Sequence, residues 1–73
     1  MKHSEFARAV DAEFGAAAGQ ALVRDLVLTE FGVTSAEALA AGTKPRDVWA
    51  ALCKAMDVPV SRVHGAGLID PKD

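Results

Sequence analysis

The sequence predicts an all-α fold: a compact bundle of four short helices, with a helix-turn-helix-like pair made by helices 3 and 4 and an extended C-terminal tail. Three observations predict it. Apolar residues recur at helical spacing, as in Phe6, Val10 and Phe14 near the start and Val48, Leu52 and Met56 further on. Thr34 followed by Glu37 is a capping-box pattern that opens a helix. Gly15, Gly32, Gly42 and Pro59 stand where apolar stretches stop, and both residue types end helices. No strand pair or internal repeat is visible. Residues 1–59 are expected to form one helical domain and 60–73 a tail.

The first helix is expected over "SEFARAVDAEF", residues 4–14, with Ser4 as its cap and Glu5 favourable at the positive helix end. The second is expected over "AAAGQALVRDLVLTEF", residues 16–31, closed by Gly32. Its apolar arc of Leu22, Val23, Leu26, Val27, Leu28 and Phe31 is wide, so it reads as the central helix, contacted from more than one side. Gly19 weakens its first turns by up to about 1 kcal/mol relative to alanine. The third helix runs from the Thr34 cap to Gly42, and Val33 is placed to staple onto Ala38 or Leu39. The fourth begins near Pro45, which suits a first helical turn, and carries Val48, Trp49, Leu52, Cys53 and Met56. The remaining "VSRVHGAGLIDPKD" holds two glycines and a proline and reads as an extended tail rather than a fifth helix. Its residues 60–63 are expected to fold back on helices 1 and 4, leaving Leu68 and Ile69 as the anchor for a partner. Phe6, Phe14, Leu26, Phe31, Leu39, Trp49 and Leu52 are expected to be the main buried residues.

Seventy-three residues, half of them hydrophobic, allow one packed core. At this size that core supplies only about 3–5 kcal/mol of net stability. The net charge of −2, without a long run of either sign, argues against a general nucleic-acid or membrane-surface binder. A single cysteine cannot form an internal disulfide. The N-terminal "MKHSEFARAVDAEF" is charged throughout, unlike a signal peptide, and no apolar run approaches the roughly 20 residues that span a bilayer. A cytoplasmic protein without membrane contact is expected.

The segment "TSAEALAAGTKPRDVWAALC", residues 34–53, raises the question of DNA binding. Ala38, Gly42 and Val48 match the small residue, turn glycine and core residue of a helix-turn-helix. Lys44, Arg46 and Lys54 are the candidate DNA contacts. Glu37 and Thr43, however, fall on positions that the motif makes apolar. On a helical wheel, Val48, Trp49, Leu52, Cys53 and Met56 share one arc of about 140°. The opposite face carries Arg46, Asp47, Lys54 and Asp57, with charges of both signs, which is a poor phosphate-binding surface. A structural helix pair is the favoured reading, with DNA binding as the alternative.

Chemistry-bearing residues are sparse. Cys53 lies on the core face of helix 4 with no histidine three or four residues away, so it reads as a small buried hydrophobe. His64 has no ligand-type partner at metal spacing. Asp11 and Glu13 do not share a helix face. Asp25 interrupts an apolar arc and is expected to make a salt bridge or cap to the following helices. "MKH" puts an imidazole third from the amino terminus, so Met1, Lys2 and His3 together offer a square-planar nitrogen set for adventitious Cu(II) or Ni(II). No catalytic residue, cofactor or functional metal site is expected.

"EF" near the start, "FG" at 14–15, "RDLVL" at 24–28, "FGVTSAEALAAG" at 31–42, "KPRDVWAALC" at 44–53 and "DVP" at 57–59 carry a resemblance that covers residues 4–59. In these stretches the chain resembles a small actinobacterial family of unknown function whose genes commonly lie beside those of the RecA recombinase and its regulator RecX. "FGVTSAEAL" departs from the family's more usual leucine-glycine followed by an arginine-threonine turn. The tail after Pro59 is also longer. The resemblance implies an all-helical intracellular protein with no assigned activity, and a link to recombination or DNA repair by gene neighbourhood. The expected function is therefore a protein–protein interaction module with an unidentified protein partner. A DNA-binding accessory using helices 3 and 4 is the alternative.

Overall fold

The structure is a computed structural model that describes residues 1–65, without the side chains of Val60 and His64. It is mostly helical, but it differs from a four-helix all-α bundle in two places. Five helices are present among the described residues: α1 (His3–Phe14), α2 (Ala16–Asp25), α3 (Ser35–Ala40), α4 (Pro45–Ala55) and α5 (Val60–Gly65). Between α2 and α3 lies a two-stranded antiparallel ribbon, β1 (Val27–Leu28) and β2 (Val33–Thr34).

The cap of α1 is Lys2 rather than Ser4, which lies exposed inside the first turn. Glu5 reaches back to accept the Lys2 backbone N–H at 2.6 Å, which satisfies one of the unpaired donors of the helix start. Gly15, at φ +87°, then turns the chain directly into α2. The two helices approach closely because Gly19 is buried against Val10: a Cβ built on Gly19 would lie 2.6 Å from Val10 Cγ1. The glycine that looked like a weakness of the second helix is thus its contact point with the first.

The second predicted helix, 16–31, ends at Asp25, six residues early. Leu26 is extended at φ −79°, ψ 118°, and Val27, Val33 and Thr34 are β-branched residues suited to strands. Val27 pairs with Thr34 and Leu28 with Val33. The Leu28 carbonyl closes the turn by accepting from the Phe31 and Gly32 N–H groups, with Gly32 at φ +71°. The ribbon alternates: Leu28 points into the core at 0% exposure while Val27 is 56% exposed. Phe31, expected in the core, is carried outward on the turn.

The Thr34–Glu37 capping box forms as expected. Glu37 N–H donates to Thr34 Oγ1 at 3.2 Å, and Thr34 N–H donates to Glu37 Oε1 at 3.0 Å. Helices α3 and α4 end with the same motif. After α3, Thr43 N–H donates to the Ala38 carbonyl and Gly42 N–H to that of Leu39, with Gly42 at φ +96°. After α4, Val58 N–H donates to the Cys53 carbonyl and Asp57 N–H to that of Lys54. There the left-handed residue is Asp57, at φ +57°.

The second helix, expected to be central, is indeed contacted from several sides, by α1, α3 and β2, but it buries fully only Gly19, and α4 is the most deeply buried helix. Val48, Trp49, Ala51, Leu52 and Cys53 are buried, an arc of about 200° that includes Ala51 and leaves Met56 exposed. Around it pack Phe6, Ala9 and Val10 from α1, Leu28 from β1 and Ala38 from α3. Phe6 and Phe14 both meet the Trp49 ring edge-on, at centroid distances of 6.3 Å. Phe14, Leu26 and Leu39 are only half-buried.

The chain after Pro59 does fold back, but as a helix rather than in extended form. The Pro59 carbonyl starts α5 by accepting from Arg62 and Val63 N–H. Val63 packs against the core, its carbonyl accepts from Trp49 Nε1 at 2.9 Å, and Arg62 Nε donates to Glu13 Oε2 at 2.9 Å.

Candidate functional site

On α2, Ala18, Ala21, Leu22 and Asp25 stand at i, i+3, i+4 and i+7 and so form one stripe. This stripe floors an open groove of about 620 Å³, walled by Phe14 from the end of α1, by Leu26, and by Met56 at the end of α4. The sequence placed Phe14 and Leu26 in the core and Met56 on the apolar arc of the fourth helix. Phe14 and Leu26 are half-buried and Met56 is 40% exposed, because no element of the described chain covers the outer side of α2 here. Asp25 is the charged residue of the lining. It pairs with its neighbour Arg24 through two hydrogen bonds of 3.0 Å rather than with a following helix. The hydrogen bond from Arg24 is the main cause that holds the Asp25 carboxyl below its ordinary value. An apolar floor, a flexible thioether and one paired carboxylate suit the holding of apolar side chains.

The candidate DNA contacts Lys44, Arg46 and Lys54 are all exposed. Lys44 caps α4, Arg46 lies in its first turn and Lys54 in its last, with exposed Asp47 beside Arg46 and exposed Asp57 beyond the helix end. Since α4 is buried over most of its circumference, only a narrow strip of mixed charge faces outward. At the amino terminus, His3 opens α1 and is exposed, while the Lys2 amide is engaged by Glu5. Cys53 is 1% exposed, and burial, with a smaller contribution from the Glu13 charge, pushes its thiol up to about 11. Leu68 and Ile69, the expected partner anchor, lie outside the described residues, as does the side chain of His64.

The profile of a family described as a protein of unknown function, DUF3046, matches residues 1–61. The chain belongs to DUF3046. No curated protein and no solved structure matches it. In this DUF3046 chain the match takes in every residue of the groove and all of α1 to α4. Sequence reasoning missed two residues that the fold brings together. Glu13 and Arg62, 49 positions apart, form an ion pair whose carboxylate side is 10% exposed and whose guanidinium side is 59% exposed. Glu13 shares no helix face with Asp11, so the sequence shows no paired-acid signal there. Its partner lies in a segment that carried no helical signature, so no local pattern pointed to the pair. No helix of the described residues is long and apolar enough to cross a membrane.

Proposed function

We propose that this DUF3046 chain is a non-catalytic, cytoplasmic protein-interaction module that receives an amphipathic helix of another protein in the groove between Phe14, Leu22 and Met56. The observation that carries the reading is the groove itself: an apolar stripe of α2 left open beside a core that, among the described residues, gathers around α4. Ala18 and Ala21 on its floor permit close approach of a partner backbone. Phe14, Leu26 and Met56 offer walls for side chains spaced at i, i+3 or i+4 and i+7. The non-catalytic part is supported by the burial and raised thiol of Cys53. The gene neighbourhood implied by the family resemblance makes recombination and repair proteins the first baits.

A photo-crosslinking amino acid at Ala18, expressed in the native cell, tests the reading. The expected result is one heterologous protein captured at Ala18, lost when Leu22→Glu is added and not captured from Ala50 on the outer strip of α4. Capture from Ala50 alone would move the site to α4. Duplex-DNA affinity that falls steeply with salt and disappears on replacing Lys44, Arg46 and Lys54 by alanine would put the DNA-binding accessory in its place.

A further inference from the structure

The groove leaves α5 unexplained, and α5 has the geometry of a plug. Its seat, made by α1 and α4, has two specific requirements. Glu13 offers a carboxylate that is 10% exposed and needs a cation, and Trp49, itself buried, offers an indole N–H that needs an acceptor. Helix α5 meets both at once, with the Arg62 guanidinium and the Val63 carbonyl, and adds the Val63 side chain to the core. Both polar groups come from two adjacent residues of one short helix. None of these contacts depends on the plug and the seat belonging to the same chain.

What keeps the plug on its own seat is the hinge, Asp57 to Pro59. There α4 is ended by a left-handed residue that is aspartate, at φ +57°, whereas the same motif after α3 uses Gly42. Aspartate holds that conformation less readily than glycine, and its negative charge lies at the negative end of α4. If Asp57 took a helical φ instead, α4 would extend and swing α5 away from its seat. Pro59 then stops the extension.

We propose that the α1–α4 seat is an exchangeable docking site whose occupant in trans is α5 of a second copy of this chain, giving a reciprocal dimer that exchanges α5 through the Asp57–Pro59 hinge. In that dimer each Glu13 pairs with Arg62 of the other copy, each Trp49 donates to the other copy's Val63 carbonyl, and both hinges are relaxed. The exchange does not use the α2 groove and stands apart from the proposed function.

Two experiments on the full chain test it, both read by native mass spectrometry and analytical ultracentrifugation. In the first, Glu13→Arg and Arg62→Glu variants are mixed in equal amounts. Each variant alone sets like charges at the seat, while the exchanged heterodimer restores two opposite pairs. The expected result is a heterodimer at least about tenfold more abundant than either homodimer. A mixture at or below the statistical ratio, in which the heterodimer is about twice either homodimer, overturns the proposal. In the second, which leaves the seat untouched, Asp57→Gly favours the closed hinge and Asp57→Ala the open one. The dimer dissociation constant should rise in the glycine variant and fall in the alanine variant, each by about tenfold, since two hinges act per dimer. Equal constants in the parent and both variants would refute the exchange.

Discussion

Gly19 shows how one residue is judged differently by a helix and by a fold. Helix propensity favours replacing it by alanine by up to about 1 kcal/mol. The fold opposes this, because a Cβ there would lie 2.6 Å from Val10 Cγ1, inside any real contact distance. Overpacking of this kind costs about 1–3 kcal/mol. Gly19→Ala should therefore lower the urea midpoint, and a raised midpoint would mean that α1 and α2 separate without loss. Cys53 makes a second prediction at this scale. Its thiol rises from 9.0 in an open chain to about 11 in the fold. Between those values the unfolded chain gives up the proton and the folded one keeps it. The unfolded state then binds fewer protons, and stability falls as pH rises through this window, by about 2–3 kcal/mol in all. Urea titrations from pH 8 to 11 should show the decline in the parent and a flatter curve in Cys53→Ala.

Among the elements, the start of α1 sets copper binding against helix capping. A square-planar site at Met1, Lys2 and His3 needs the Lys2 and His3 amide nitrogens as ligands, yet the Lys2 N–H is the donor to Glu5. Copper must therefore displace that capping bond. Cu(II) should bind with its characteristic visible absorption, vanish with His3→Ala or amino-terminal acetylation, and reduce far-UV helicity by about the first turn of α1. Copper bound with no change in helicity would show that the cap contributes nothing. The β1–β2 ribbon marks where reading by element was hardest. Leu26, Val27 and Leu28 form a short apolar run, and such a run carries no period that separates helix from strand. In the fold Leu28 takes a fully buried position on β1, which packs against α4. Helix α5 was illegible for a related reason. Six residues ending in glycine have little helical preference of their own, and contacts with Trp49 and Glu13 hold them.

For the molecule as a whole, stability rests on few large side chains. Of the ten buried core residues among the described residues, four are Ala9, Ala38, Ala51 and Cys53, which bury little area each. Trp49 joins α1, α4 and α5 through its ring contacts with Phe6 and Phe14 and its bond to Val63. Trp49→Ala should cost about 3–5 kcal/mol, close to the whole stability of a domain this small. Circular dichroism at 25 °C should find the variant largely unfolded. Cooperative melting at the parent temperature would show that the core closes without it.

Local sequence was enough for the helical character, the Thr34–Glu37 cap, the start of α4 at Pro45 and the burial of Phe6, Val48, Trp49 and Leu52. These are local matters: a cap is satisfied within four residues, and an apolar stripe appears in the spacing of its own helix. The tertiary structure decided which apolar stripes are covered. Phe14, Leu26 and Met56 carry the same periodic signal as core residues, yet they wall a groove because nothing in the described chain lies over them. It also decided the deep burial of α4, the break of the second predicted helix at Asp25, and the pairing of Glu13 with Arg62. Each of these depends on residues far apart in sequence meeting in space, and periodicity holds no information about what a face will meet.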